Sequence, residues 1–130
     1  MQRDFISRKG LAAKIRTVPV TSNLVELYQA VGWFVHPTHY DVFSSTVLQS
    51  MACGLPGLVS VMEGAVDHIR NGVNGFMLYH PQQSQELAAR IQEALNLDET
   101  QREALSQATR ETVVALTWEK HLAEWAALLG

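Results

Sequence analysis

An α/β fold built on a parallel sheet is what this sequence predicts, and three observations predict it. Short, nearly all-apolar runs recur at "GWFVHP", "GLVSV" and "NGFMLY". Segments with one-face helical spacing alternate with them, as strands covered by helices on both sides require. Glycine and proline mark the joins, at Gly32, Pro37, Gly54, Pro56 and Gly72.

Taken in order, the β-branched run over residues 15–20 reads as a first short strand. Ser22 is placed to cap a helix over "SNLVELYQAV", whose Leu24, Leu27, Tyr28 and Val31 share a face. The second strand covers residues 33–36, with Tyr28 and Trp33 as core candidates. A polar loop follows, then a helix with Val47, Leu48, Met51 and Ala52 on one stripe, stopped by Gly54 and Pro56. "GLVSV" is a third strand. "AVDHIRNG" is a short helix that Gly72 would end, and turn chemistry accounts for "NGVNG". "NGFMLY" makes about four strands in all.

From residue 84 the pattern is helical, with Leu87, Ala88, Ile91, Ala94 and Leu95 at helical spacing. Residues 98–112 read as a polar segment. Thr117 then caps a last amphipathic helix whose Trp118, Leu122, Trp125, Ala126 and Leu129 line one face.

At 130 residues the chain is one domain, with 47% apolar and 18% charged residues, an ordinary composition for a soluble protein or a piece of one. A net charge of −3 argues against a nucleic-acid or anionic-membrane surface. Cys53 is the sole cysteine, which excludes an intrachain disulfide and favours the cytosol. The polar start "MQRDFISRKG" lacks a signal-peptide core, and no run is long enough to span a bilayer. Cys53 reads as a packed side chain. His39, Asp41 and His80 match no metal-ligand spacing, so no metal is expected.

The loop "HPTHYDVFSST" carries the chemistry. In parallel α/β sheets, ligands gather where strand ends feed loops into helix starts. A helix start offers free backbone N–H groups and partial positive charge, which suit phosphate. Ser44 or Ser45 could cap that start. Asp41 and Gln49 are eight apart with Ser45 midway, so a ligand along that line would meet a carboxylate, then amides, then an amide side chain. Capping is the commoner use of such hydroxyl residues, and the loop alone leaves both roles open.

The run "HPTHYDVFSSTVLQSMACGLPGLVS" followed by "EGAVDHIRNGVNGFMLY" resembles the C-terminal domain of family 4 retaining glycosyltransferases of the GT-B fold. "PTHYD", "LQSMACGLPG" and "GAVDHIRNGVNGF" stand for three parts of that family's signature. "LTWEKH" resembles its Ser/Thr-Trp-Glu near the C-terminal helix. The likeness implies a Rossmann-like sheet and a nucleotide diphosphate sugar as donor, with no cofactor or metal. It further implies Asp41 as the catalytic acidic residue facing the donor sugar, Phe43, Ser44, Ser45 and Thr46 around the diphosphate, and Gln49 at the ribose. A "Tyr-Asp-x-Phe-Ser" loop resembles those of lipopolysaccharide and other surface-glycan transferases.

Departures accompany the likeness. Gln49 stands where the family has Glu, which removes a charge-assisted pair worth about 1–2 kcal/mol. Glu63 replaces a glycine of the usual Gly-Gly, setting a carboxylate near the phosphate seat, and Asp67 replaces the next Glu. The resemblance begins past the family's Gly-Arg loop and lysine, inside a helix at "RDFISRKGL". It therefore implies a partial domain, cytoplasmic or peripheral to the membrane, inactive alone and completed by an N-terminal domain or another copy of the chain. Two missing strands are expected between residues 14–20 and 33–36. The alternative is a non-catalytic remnant that uses its Trp118/Trp125 face for interaction or self-association.

Overall fold

Three apolar runs pair into one parallel sheet in the computed structural model, which describes residues 2–130. They are β1 (Phe34–His36), β2 (Gly57–Ser60) and β3 (Gly75–Leu78), in spatial order β1-β2-β3. Phe34 lies opposite Gly57, and Gly57 opposite Gly75. Every residue of β2 is buried, as a central strand covered on both faces must be. Its side chains alternate between two cores. Val59 packs with Val47, Met51, Ala65, Ile69 and Val113, whereas Leu58 packs with Phe76, Leu78, Ala94 and Leu105.

Helices α1 (Gln2–Arg8), α2 (Leu24–Gln29), α3 (Ser45–Ala52), α4 (Ser84–Leu95), α5 (Glu99–Val114) and α6 (Trp118–Leu129) complete the chain, with a 3-10 helix at Gly64–His68. The expected α/β class and flanked parallel sheet are what the structure shows. Tyr28 is buried edge-to-face against Phe34, and Trp33 meets Phe76. Burial raises the pKa of the Tyr28 phenol.

Several local expectations need correction. Residues 15–20 form no strand; the N–H groups of Lys14 and Ile15 instead close a turn on Leu11 O, and Val20 is fully exposed. A β-branched run becomes a strand only beside a partner, and β1 ends the sheet on this side. Asn23, not Ser22, precedes α2, and its side chain makes no cap bond. Ser50 joins Val47 and Met51 on the buried face of α3, bonding Val47 O, while Ala52 is exposed.

The expected helix at "AVDHIRNG" shrinks to the 3-10 turn, because Asn74 captures the backbone beyond it. Asn74 Oδ1 accepts from Arg70 N at 2.6 Å, and its Nδ2 donates to His68 O at 2.9 Å. Gly72, at φ 76°, serves the following turn. The largest correction is residues 98–112: Asp98 caps the 16-residue α5 and residues 99–112 belong to it. Asp98 and Gln101 close a capping box, each side chain accepting the other's N–H at 2.9 Å. Leu105, Thr109 and Val113, four residues apart, form the buried stripe.

At the start of α4, Glu86 binds the preceding segment, accepting Tyr79 N–H at 2.8 Å and His80 N–H at 2.7 Å. The Tyr79 bond, then that from His80, holds its carboxyl below the usual range. A carboxyl lowered on folding stabilises above its unfolded pKa, and that stability fades as pH falls through the folded value. Glu86→Gln should therefore melt below wild type at pH 7, and the gap should close on acidification. A gap that stays constant in melts from pH 7 to pH 2 would contradict this.

Candidate functional site

The end of β1, the loop after it and the start of α3 form the mouth of the sheet. Two backbone bonds clamp this loop to the one following β2: Asp41 N–H donates to Met62 O at 3.1 Å, and Gly64 N–H to Asp41 O at 3.2 Å. The approach is close enough that a Cβ on Gly64 would lie 1.9 Å from Val42 O. Asp41 Oδ1 turns back to accept Phe43 N–H at 3.3 Å, an Asx-turn contact. Its Oδ2 faces His36 Nε2 at 3.6 Å, beyond hydrogen-bond reach.

Ser44 is the residue before α3, in extended conformation, but its side chain caps no amide. Its Oγ pairs with Thr46 Oγ1 at 2.7 Å. Its N–H is taken by Glu63 Oε1 at 2.5 Å. Phe43 and Ser44, both expected around the diphosphate, thus donate their N–H groups within the protein. Among the described residues, no acceptor takes the N–H of Ser45 or Thr46. These point past the start of an eight-residue helix whose dipole favours an anion. Ser45 and Gln49 are both exposed and one turn apart, so they share the outer face of α3.

Phe43 is half-exposed and meets the His68 ring edge-on, with centroids 6.4 Å apart. Beside this pair opens a cavity of about 360 Å³, walled by Phe43, Leu48, His68, Leu116, Trp118 and His121. The cavity joins the loop to the α5–α6 corner. Thr117 Oγ1 caps α6 by accepting Lys120 N–H at 3.3 Å, as the sequence suggested. No residue of α6 is buried, and Trp118, Leu122, Trp125 and Leu129 stand exposed. Sequence reasoning singled out neither His36 nor the cavity. Glu63 was visible as a departure, although nothing local told which amide it would bind.

Residues 3–112 match the family described as Glycosyl transferases group 1. The chain belongs to this family. A sucrose synthase of Solanum tuberosum is 32% identical over 113 residues, covering 80% of this chain and 14% of that protein. Among solved structures, a sucrose-phosphate synthase from Thermosynechococcus elongatus superposes with TM-score 0.87 at 26% identity, over 98% of this chain and 32% of that one. Anabaena HepE in complex with UDP superposes with TM-score 0.84 at 24% identity, over 97% of this chain and 35% of that one, a likeness of fold. The chain thus spans about a third or less of these proteins. Its Rossmann-like sheet is the GT-B type, and among the described residues no helix is long and apolar enough to cross a membrane.

Proposed function

We propose that this chain is the donor-binding part of a glycosyltransferase, moving a sugar from a nucleotide diphosphate sugar to a glycan or lipid-linked acceptor in surface-polysaccharide or lipopolysaccharide synthesis. The observation that carries this reading is the open pair of amides, Ser45 and Thr46, at the start of α3. Asp41 lies just before them and the exposed Gln49 one turn beyond. In this reading the diphosphate sits on the Ser45 and Thr46 amides, flanked by Phe43 and the Ser44/Thr46 hydroxyl pair. Asp41 faces the sugar and Gln49 the ribose. As the glycosidic bond breaks, negative charge grows on the departing diphosphate, and fixed amide dipoles stabilise it without reorganising. Positioning of the two substrates supplies the rest.

The Tyr40-Asp41 form of the loop supports the acceptor class by its resemblance to surface-glycan transferases. The acceptor side is assigned to an N-terminal domain, so the 130 residues alone should bind donor without turning it over. UDP is the first nucleotide to test, since HepE was solved with it. Isothermal titration should detect UDP binding. Gln49→Ala should weaken it by about fivefold, the loss of one hydrogen bond. No heat with millimolar UDP, GDP or ADP would overturn the donor reading.

A second reading, a non-catalytic interaction module, is favoured by two observations: Glu63 fills the Ser44 amide, and the apolar face of α6 is open. It requires concentration-dependent self-association in sedimentation together with no nucleotide binding.

A further inference from the structure

We propose that Glu63 is an internal anion seated at the start of α3, where it competes with an anionic ligand for the same positive field. This rests on the donor-site reading and concerns the control of that site. Glu63 is only 2% exposed. One carboxylate oxygen takes the Ser44 N–H, and the other, Oε2, is buried with no hydrogen-bond partner. No cation among the described residues pairs with it. A buried carboxylate so poorly neutralised is unfavourable in itself, and the amide end of α3 is the nearby feature that offsets it.

The main chain around Glu63 is fixed by the clamp between the two loops. Asp41 N–H to Met62 O and Gly64 N–H to Asp41 O hold the main chain on both sides of Glu63. A phosphate arriving at the Ser45 and Thr46 amides therefore meets a like charge one residue away. Glu63 sets the affinity of the seat below what the amides alone would give. A purely structural role would rest on the Ser44 bond, which an uncharged acceptor of the same shape also makes.

Glu63→Gln separates the two roles, because its carbonyl still accepts from Ser44 while the charge is gone. Inorganic pyrophosphate titrated into the full 130-residue chain should bind this variant on the order of tenfold more tightly than wild type. Equal or weaker binding by the variant, or no pyrophosphate binding by either protein, overturns the proposal. Should pyrophosphate follow the prediction while UDP binds no better than pyrophosphate, the internal anion stands and the donor reading fails. A second measurement needs no variant. In ¹⁵N-labelled wild type, pyrophosphate should move the Ser45 and Thr46 amide resonances further than that of Ser44. A Ser44 resonance that moves furthest would overturn the proposal.

Discussion

Alanine at position 64 is expected to lower stability by about 3 kcal/mol, a fall in Tm of about 10 °C. The cause is one added methyl group. A Cβ there would lie 1.9 Å from Val42 O and 3.0 Å from Val42 C, both backbone atoms that no rotamer change can clear. Relief requires the loops after β1 and β2 to part, which breaks the bonds from Asp41 to Met62 and from Gly64 to Asp41. It also withdraws Glu63 from Ser44, so the site should loosen along with the fold. Thermal melts give the first readout, and amide shifts concentrated at residues 41–45 and 61–65 give the second. Gly32→Ala is the control, since nothing lies within 4 Å of a Cβ there. Equal melting temperatures for the two variants would show that the loops are not pressed together.

Asn74→Ala is expected to cost a similar amount, about 3 kcal/mol, by leaving buried polar groups without partners. Asn74 is wholly buried. Its side chain serves Arg70 N–H, His68 O and, at 2.8 Å, Thr112 Oγ1 on α5. Its own carbonyl oxygen lies 2.7 Å from Thr109 Oγ1, which shares its single proton between that oxygen and Leu105 O. The side chain thus ties the turn before β3 to the helix that lines both cores. Thr112→Val removes one of these bonds and should cost about 1 kcal/mol. Urea unfolding of the two single variants and the double variant checks the coupling. Strictly additive losses would mean that the Asn74–Thr112 bond contributes nothing.

The two asparagines of "NGVNG" show where sequence reading stopped. Turn chemistry explained both equally well, yet Asn74 is a buried tether while Asn71 is exposed, accepting Met77 N–H. Residues 98–112 stopped it differently. Their signals were present, as Asp98 three before Gln101 and as Leu105, Thr109 and Val113 at four-residue spacing. A threonine within the stripe, among many charged neighbours, concealed an apolar face that becomes one only when Thr109 finds Asn74. The loop residues Asp41, Phe43, Ser44, Ser45, Thr46 and Gln49 were legible as a group, because strand, loop and helix start are contiguous in the chain. Which of their amides remain open was not legible.

By itself the sequence determined the α/β class, the three paired strands, the cap at Thr117, and the place of the loop at the sheet's mouth. These follow from apolar period and turn residues, which act over a few neighbours. Tertiary structure alone decided that residues 15–20 lack a ladder, that Asn74 reaches Thr112 across 38 positions, and that Glu63 reaches Ser44 across 19. A buried polar group takes whatever partner the closed chain brings within 3 Å or so, and only packing between distant segments chooses that partner.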